Sequence, residues 1–239
     1  ERWAMFETYW PNARFTGYGR ALALCVRDVY GLSLDRPAPE VGLELNRRIA
    51  DARRPGFYRA ILRDKARIEL AIVDSGTANV DRNLFAPVLR FDNFVTPAGR
   101  GQLDRLGKQA GIEIRTLDDL VSALEIAFEQ AVREGIVGIK SGLAYRRRIS
   151  YPLPTEDEAR AAFARAADDA PASADELLPL HNYMMRQVCR LAAKHDLPFQ
   201  IHTGLQTGFG NDIANAKPTE LISLIMAHRD VKFVLFHGG

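Results

Sequence analysis

Hydrophobic and polar positions follow two different periods along this chain. Five short apolar runs end in polar residues or glycine: residues 68–73 (IELAIV), 85–90 (FAPVLR), 136–140 (IVGIK), 198–202 (PFQIH) and 232–237 (KFVLFH). Runs of that length and composition, bounded by turn residues, predict buried strands. The stretches between them carry apolar residues at helical spacing. Residues 117–133 are the strongest case, with Leu117, Leu120, Val121, Leu124, Phe128, Ala131 and Val132 on one stripe. Thr116 caps that helix, Asp118 and Asp119 sit at its positive end, and Gly135 ends it.

Two further starts are written as capping boxes, Thr155 with Glu158 and Ser173 with Glu176. They predict one helix to about residue 167, in an Ala-rich stretch, and a longer one to about His195. Pro218 opens another helix, reaching His228, on the stripe Leu221, Ile222, Leu224 and Ile225. The first sixty-odd residues also read as helical. Segments 19–30 (closed by Gly31), 40–52 and 56–66 are separated by Pro37, Pro39 and Pro55. No internal repeat is visible.

Strand, loop, helix and strand in succession describe a parallel α/β sheet, either open and doubly wound or closed as a barrel. No glycine-rich phosphate loop follows a strand. Gly17-Tyr18-Gly19 has no strand before it and lacks the third glycine, which favours the barrel over a nucleotide-binding sheet. The expected division is a helical segment over residues 1–66 and a barrel segment over 67–239.

Composition narrows the function classes. The chain has 239 residues, 47% of them hydrophobic, enough for a sizeable core. With 32 basic and 30 acidic residues the net charge is only +2, which gives no reason to expect a nucleic-acid partner. No apolar run approaches the roughly 20 residues of a membrane span, and no signal peptide is evident. Cys25 and Cys189 fall in helical segments and read as buried reduced thiols of a cytoplasmic protein. The chain opens without Met and ends directly after a strand, so it is expected to be a piece of a longer protein.

The chemistry concentrates at strand ends. Two apolar runs deliver His202 and His237 at the face where barrel loops build sites. Strict alternation sets His237 in line with Phe233 and Leu235 as an inward row, and His202 with Gln200 and Pro198. Neutral imidazoles on adjacent strands, roughly 4.8 Å apart, can converge on one divalent ion. A hydrogen-bonded core histidine is the plainer alternative. Lys140 ends the third run and could act as a carbamate ligand, as a cation for an anionic substrate, or as a salt-bridged strand end. Arg90 and Asp74 also end strands. Tyr145 is followed by Arg146, Arg147 and Arg148, of which one or more could clamp a carboxylate. Gly204, Gly208 and Gly210 let the loop after His202 turn or approach a ligand. His181, His195 and His228 lie on or at the ends of helices and read as structural or exposed.

The stretches GIKSGLAYRRRISY (138–151), LPFQIHTGLQTGFGND (197–212) and KFVLFHGG (232–239) resemble the amidohydrolase superfamily, specifically the amidohydrolase-related group that has uronate isomerase as a relative. The helical start ending in DVYG (28–31) is similar to the insertion after that family's first barrel strand. The resemblance implies an incomplete (β/α)8 TIM barrel, about strands two to six, behind an N-terminal helical insertion. It implies His202 and His237 as metal ligands, Lys140 at a position that is a carboxylated bridging ligand in some members, and a divalent metal, zinc first. The implied chemistry is metal-bound hydroxide attacking an amide, ester or lactone carbonyl. Sugar-acid isomerisation or decarboxylation on the same fold, and a non-catalytic barrel or association domain, are the alternatives. The expected partners are a small-molecule substrate, carboxylate-bearing if Arg90, Tyr145 and Arg146 grip it, and a second copy in a homo-oligomer. The family's first strand carries a His-x-His pair and its eighth an Asp. This sequence has no His-x-His, so part of the site is expected to be missing, and residues 1–239 alone are expected to associate through open strand edges.

Overall fold

A computed structural model describes residues 1–168, 172–208 and 210–238. Gly239 of the last strand-end signal, Phe209 of the glycine-rich loop and residues 169–171 of the Ala-rich stretch lie outside them. The chain forms two compact units, Glu1–Leu70 and Ala71–Gly239.

The first unit is helical: α1 (Arg2–Ala13), α2 (Gly17–Tyr30), α3 (Pro39–Ala52) and the short α4 (Phe57–Arg59), which runs on as a π-helix over Ala60–Lys65. Thr16 accepts the Gly19 amide as N-cap of α2, and Gly31 closes that helix at φ +65°, the left-handed turn that glycine adopts at no steric cost. Its core is small: Trp10, Val26 and Leu34, with the Trp10 indole N–H donating to the Leu34 carbonyl at 2.7 Å. Along α1 the Trp3 ring meets Phe6 at a tilt, and Phe6 stacks on Trp10. A Cβ at Gly42 would lie 2.4 Å from the Trp3 ring, so this position of α3 accepts only glycine without rearrangement. Cys25 is exposed on α2, contrary to the expectation of two buried thiols. Cys189 is buried, and burial pushes its thiol up to about 12.

The second unit contains, in order, β1 (Ala71–Val73), β2 (Phe85–Arg90), α5 (Asp92–Val95), α6 (Arg100–Ala110), α7 (Leu117–Arg133), β3 (Gly138–Ser141), α8 (Glu156–Ala167), α9 (Ala174–Lys194), β4 (Phe199–His202), α10 (Ile222–Ala227) and β5 (Phe233–Phe236). All strand pairings are parallel and the sheet order is β1-β2-β3-β4-β5. Five parallel strands in chain order, joined by helices that pack on one side from β2 onward, make a half-barrel of the TIM type.

Sequence explains most boundaries. Thr116 with Asp119, Thr155 with Glu158 and Ser173 with Glu176 each form a complete capping box at the start of α7, α8 and α9. The α7 stripe buries Leu117, Leu120, Leu124, Phe128 and Ala131 against the helix-covered side of the sheet, where Ile139, Phe199 and Ile201 are almost fully buried. Each such large apolar side chain contributes about 1.5–3 kcal/mol by leaving water.

Three expectations are corrected. The first strand starts at Ala71, since Ile68 closes the preceding π-helical turn by donating its amide to Leu62. The helix expected from Pro218 begins as a 3-10 turn over Pro218–Leu221 and becomes α-helical only from Ile222. The third is the face of the last strand. Pairing sets Phe233 beside Phe199, Leu235 beside Ile201 and Phe236 beside His202. Phe233 and Leu235 therefore belong to the helix-side row, and His202 shares its face with Val234 and Phe236.

Candidate active site

The register puts Arg90, Lys140, Gln200 and Val234 abreast on the face away from the helices. One step toward the carboxyl ends, on the same face, come His202 and Phe236. His237 follows β5 and by simple alternation would point to the opposite side. It adopts φ +67°, a left-handed conformation uncommon for a residue with a side chain. That turn brings its ring to a centroid distance of 4.5 Å from the His202 ring. Thr203, fully buried, donates its hydroxyl to the Phe236 carbonyl at 2.5 Å and ties the two strand ends together just before His237.

His202 is 5% exposed. Its Nε2 lies 2.9 Å from the Leu205 carbonyl; donation there leaves the Nδ1 lone pair free. Burial, followed by the neighbouring His237, Lys140 and Arg90, lowers its pKa and favours the neutral imidazole that a metal requires. The Tyr145 ring also lies 4.5 Å from the His202 ring.

Asp74 organises the cations. Arg90 Nε donates to Asp74 Oδ2 at 2.9 Å, and Lys140 Nζ lies 3.7 Å from the same oxygen. The Lys140 ammonium also sits 4.6 Å over the Phe236 ring. A carboxylate and a π-face both favour a positive group, so these surroundings suit Lys140 as a cation better than as an anionic carbamate.

Asp92, just after β2, accepts the Gly142 amide at 2.8 Å, and burial holds its carboxyl above the usual carboxylate range. A pocket of about 280 Å³ opens beside it, lined by Arg90, Asp92, Asn93, Gly142, Leu143, Tyr145 and Arg146. A Cβ at Gly142 would meet Arg90 Nη1 at 2.7 Å, so glycine lets that guanidinium reach the pocket. The Tyr145 hydroxyl receives the Thr207 amide at 3.2 Å. Hydrogen bonds from Thr207, with smaller contributions from Lys140 and Arg90, lower its pKa.

The structure thus brings together His202, His237, Lys140, Tyr145, Arg90 and Asp74, with Arg146 on the pocket wall. Arg147 is set apart: it donates to the Ser150 carbonyl and to Asn182, and lies 4.9 Å over the Tyr151 ring. Arg148 faces Glu220 at 3.6 Å. His195 pairs with Glu129, and His181 is buried in α9. Asp92, Thr203, Gln206 and Thr207 were not singled out from sequence. Only Asp92 carried a signal, a carboxylate two residues past a strand end.

Two imidazoles, one buried and oriented by a backbone carbonyl, fit part of the donor set of a divalent transition ion. Among the described residues no group of three or more His, Cys, Asp or Glu side chains comes together to complete it.

The fold is a parallel α/β half-barrel that carries two histidines at the ends of adjacent strands. The amidohydrolase family profile matches residues 116–239, just over half of the sequence, and the chain belongs to that family. Among solved structures, uronate isomerase from Thermotoga maritima superposes with a TM-score of 0.75 at 16% identity, covering 98% of this chain and 58% of that one. Glucuronate isomerase from Caulobacter crescentus gives 0.69 at 15%, covering 99% and 55%. A protein assigned as a metal-dependent hydrolase from Lactobacillus casei gives 0.64 at 17%, covering 94% and 57%. The chain spans little more than half the length of each, and at these identities the likeness establishes the fold. No curated protein matches the sequence. No helix among the described residues is long and apolar enough to cross a membrane.

Proposed function

We propose that this chain forms the central strands of a metal-dependent hydrolase acting on a small carboxylate-bearing molecule. The observation that carries this is the 4.5 Å approach of His202 and His237 beside a pocket walled by Arg90, Tyr145 and Arg146. His202 and His237 would hold the ion, zinc by donor type, and a bound ion supplies Lewis acidity toward a carbonyl of an amide, ester or lactone. The chain's own residues do the positioning. Arg146 and Arg90 receive the substrate carboxylate, and Lys140 keeps a positive charge between that pocket and the histidines. Tyr145, with its lowered pKa, presents a polar hydroxyl next to His202.

A second function is favoured by one specific observation: two of the structural relatives above are uronate isomerases. Uronates are carboxylate-bearing sugars, which the same cationic wall would suit. The test is to express the protein from its whole reading frame, load it with zinc, and assay carboxylate-bearing lactones, esters and amides alongside uronates. Hydrolysis that requires the metal supports the proposal. Ketose formation from a uronate selects the isomerase, and binding without turnover selects a non-catalytic barrel.

A further inference from the structure

We propose that Gln206 is a positioning residue that fixes the His202 ring by strapping the loop after β4 to the loop after β3. This rests on the metal role proposed for His202. The ring is oriented by the Leu205 carbonyl at 2.9 Å, so whatever holds that carbonyl holds the tautomer. The Leu205 side chain cannot do so, because it is 65% exposed. The backbone before it is turned by Gly204 at φ +63°, whose amide donates to Ala216 at 2.7 Å.

The anchor is the next residue. Gln206 is 8% exposed and its Nε2 donates to the Ala144 carbonyl at 2.6 Å, across to the neighbouring loop. Thr207 then donates its amide to the Tyr145 hydroxyl, whose ring flanks His202. Three consecutive residues therefore make three ties: Leu205 to His202, Gln206 to Ala144, and Thr207 to Tyr145. Of the three, only Gln206 has a buried side chain, and replacing its amide leaves the Ala144 carbonyl unpaired and the Leu205 carbonyl without support.

The test compares wild type with Gln206→Met, which keeps the shape and loses the donor, and Gln206→Glu, which keeps size and polarity should the methionine variant fail to fold. Leu205→Ala is the control, because only its carbonyl is used. ¹⁵N NMR of the metal-free protein reads the His202 tautomer, and competition with a chelator reads zinc affinity. The expected result is a single Nε2–H tautomer in wild type and Leu205→Ala, a tautomer mixture in the Gln206 variants, and zinc binding weakened about 10–100-fold in them. An unchanged tautomer and affinity in the Gln206 variants would overturn the strap. Should wild type bind no zinc, the metal role of His202 falls, and the tautomer comparison alone decides whether Gln206 positions the ring.

Discussion

His237 meets His202 at 4.5 Å although strand pairing gives that neighbouring place to Phe236. The left-handed backbone at His237 makes the difference, turning a side chain due for the helix side toward the loop face. A non-glycine residue in that region costs of order 1–3 kcal/mol, which the surrounding contacts must offset. The Thr203 hydroxyl on the Phe236 carbonyl is one such contact.

Lys140 is expected to matter to the site more than to the fold. Lys140→Met keeps the aliphatic stem and leaves the Arg90–Asp74 pair in place. Removing the positive charge beside the histidines should lower kcat/KM about 10–100-fold, on the order of 1.4–2.7 kcal/mol of transition-state stabilisation. The melting temperature should stay within a few degrees. Steady-state kinetics beside a thermal melt checks this, and full activity in the variant makes Lys140 a bystander.

His181 gives a pH dependence whose sign is fixed. Burial, with Arg147 nearby, lowers its pKa from 6.5 to about 4, against the opposing hydrogen bond to the Pro97 carbonyl. The unfolded chain binds the proton first, so the stability from neutral His181 is fully present above about pH 6.5 and is lost as pH falls toward 4. Between pH 7 and 4.5 that amounts to about 2.5 kcal/mol. His181→Gln should remove this part of the acid sensitivity in urea unfolding at the two pH values. Equal losses in variant and wild type would show that the imidazole is not held neutral.

The α7 capping box is open to a direct test. Thr116→Ala deletes the acceptor for the Asp119 amide and should cost about 1 kcal/mol, read as a lower urea midpoint with an unchanged slope.

Much of this architecture was legible because local signals agreed with the final packing. α7 occupies the span its stripe and cap specified, and β2 occupies residues 85–90. α1 was not delimited, because Pro11, which lies inside it, reads as a breaker in sequence and the helix buries little besides Trp10. α6 escaped because Gly101 and Gly107 lie inside it and only Leu103, Leu106 and Gly107 are buried. At the site, the strand-end residues His202, His237, Lys140 and Arg90 could be named from position alone. Their relations could not: Asp74 joins Arg90 and Lys140 across three strands, and Gln206 reaches Ala144 from 62 residues away. The inward face assigned to Phe233 and Leu235 was wrong because alternation was counted back from His237, where the backbone is no longer extended.

Strand edges should govern the behaviour of the 239-residue chain in solution. Among the described residues β1 and β5 each have one strand neighbour, and Ile72, Val234 and Leu235 are 63%, 40% and 42% exposed. Such edges template association, so size-exclusion chromatography of this chain should show oligomers. The pair Val234→Lys and Leu235→Lys should shift them toward monomer. A monomeric wild-type chain would mean that these edges are not sticky.

Metal content measures the central claim most directly. The protein expressed from its whole reading frame should carry a divalent transition ion by elemental analysis. The double variant His202→Ala, His237→Ala should lose it while staying folded by circular dichroism. Undiminished metal in the folded double variant would contradict the assignment of these two histidines.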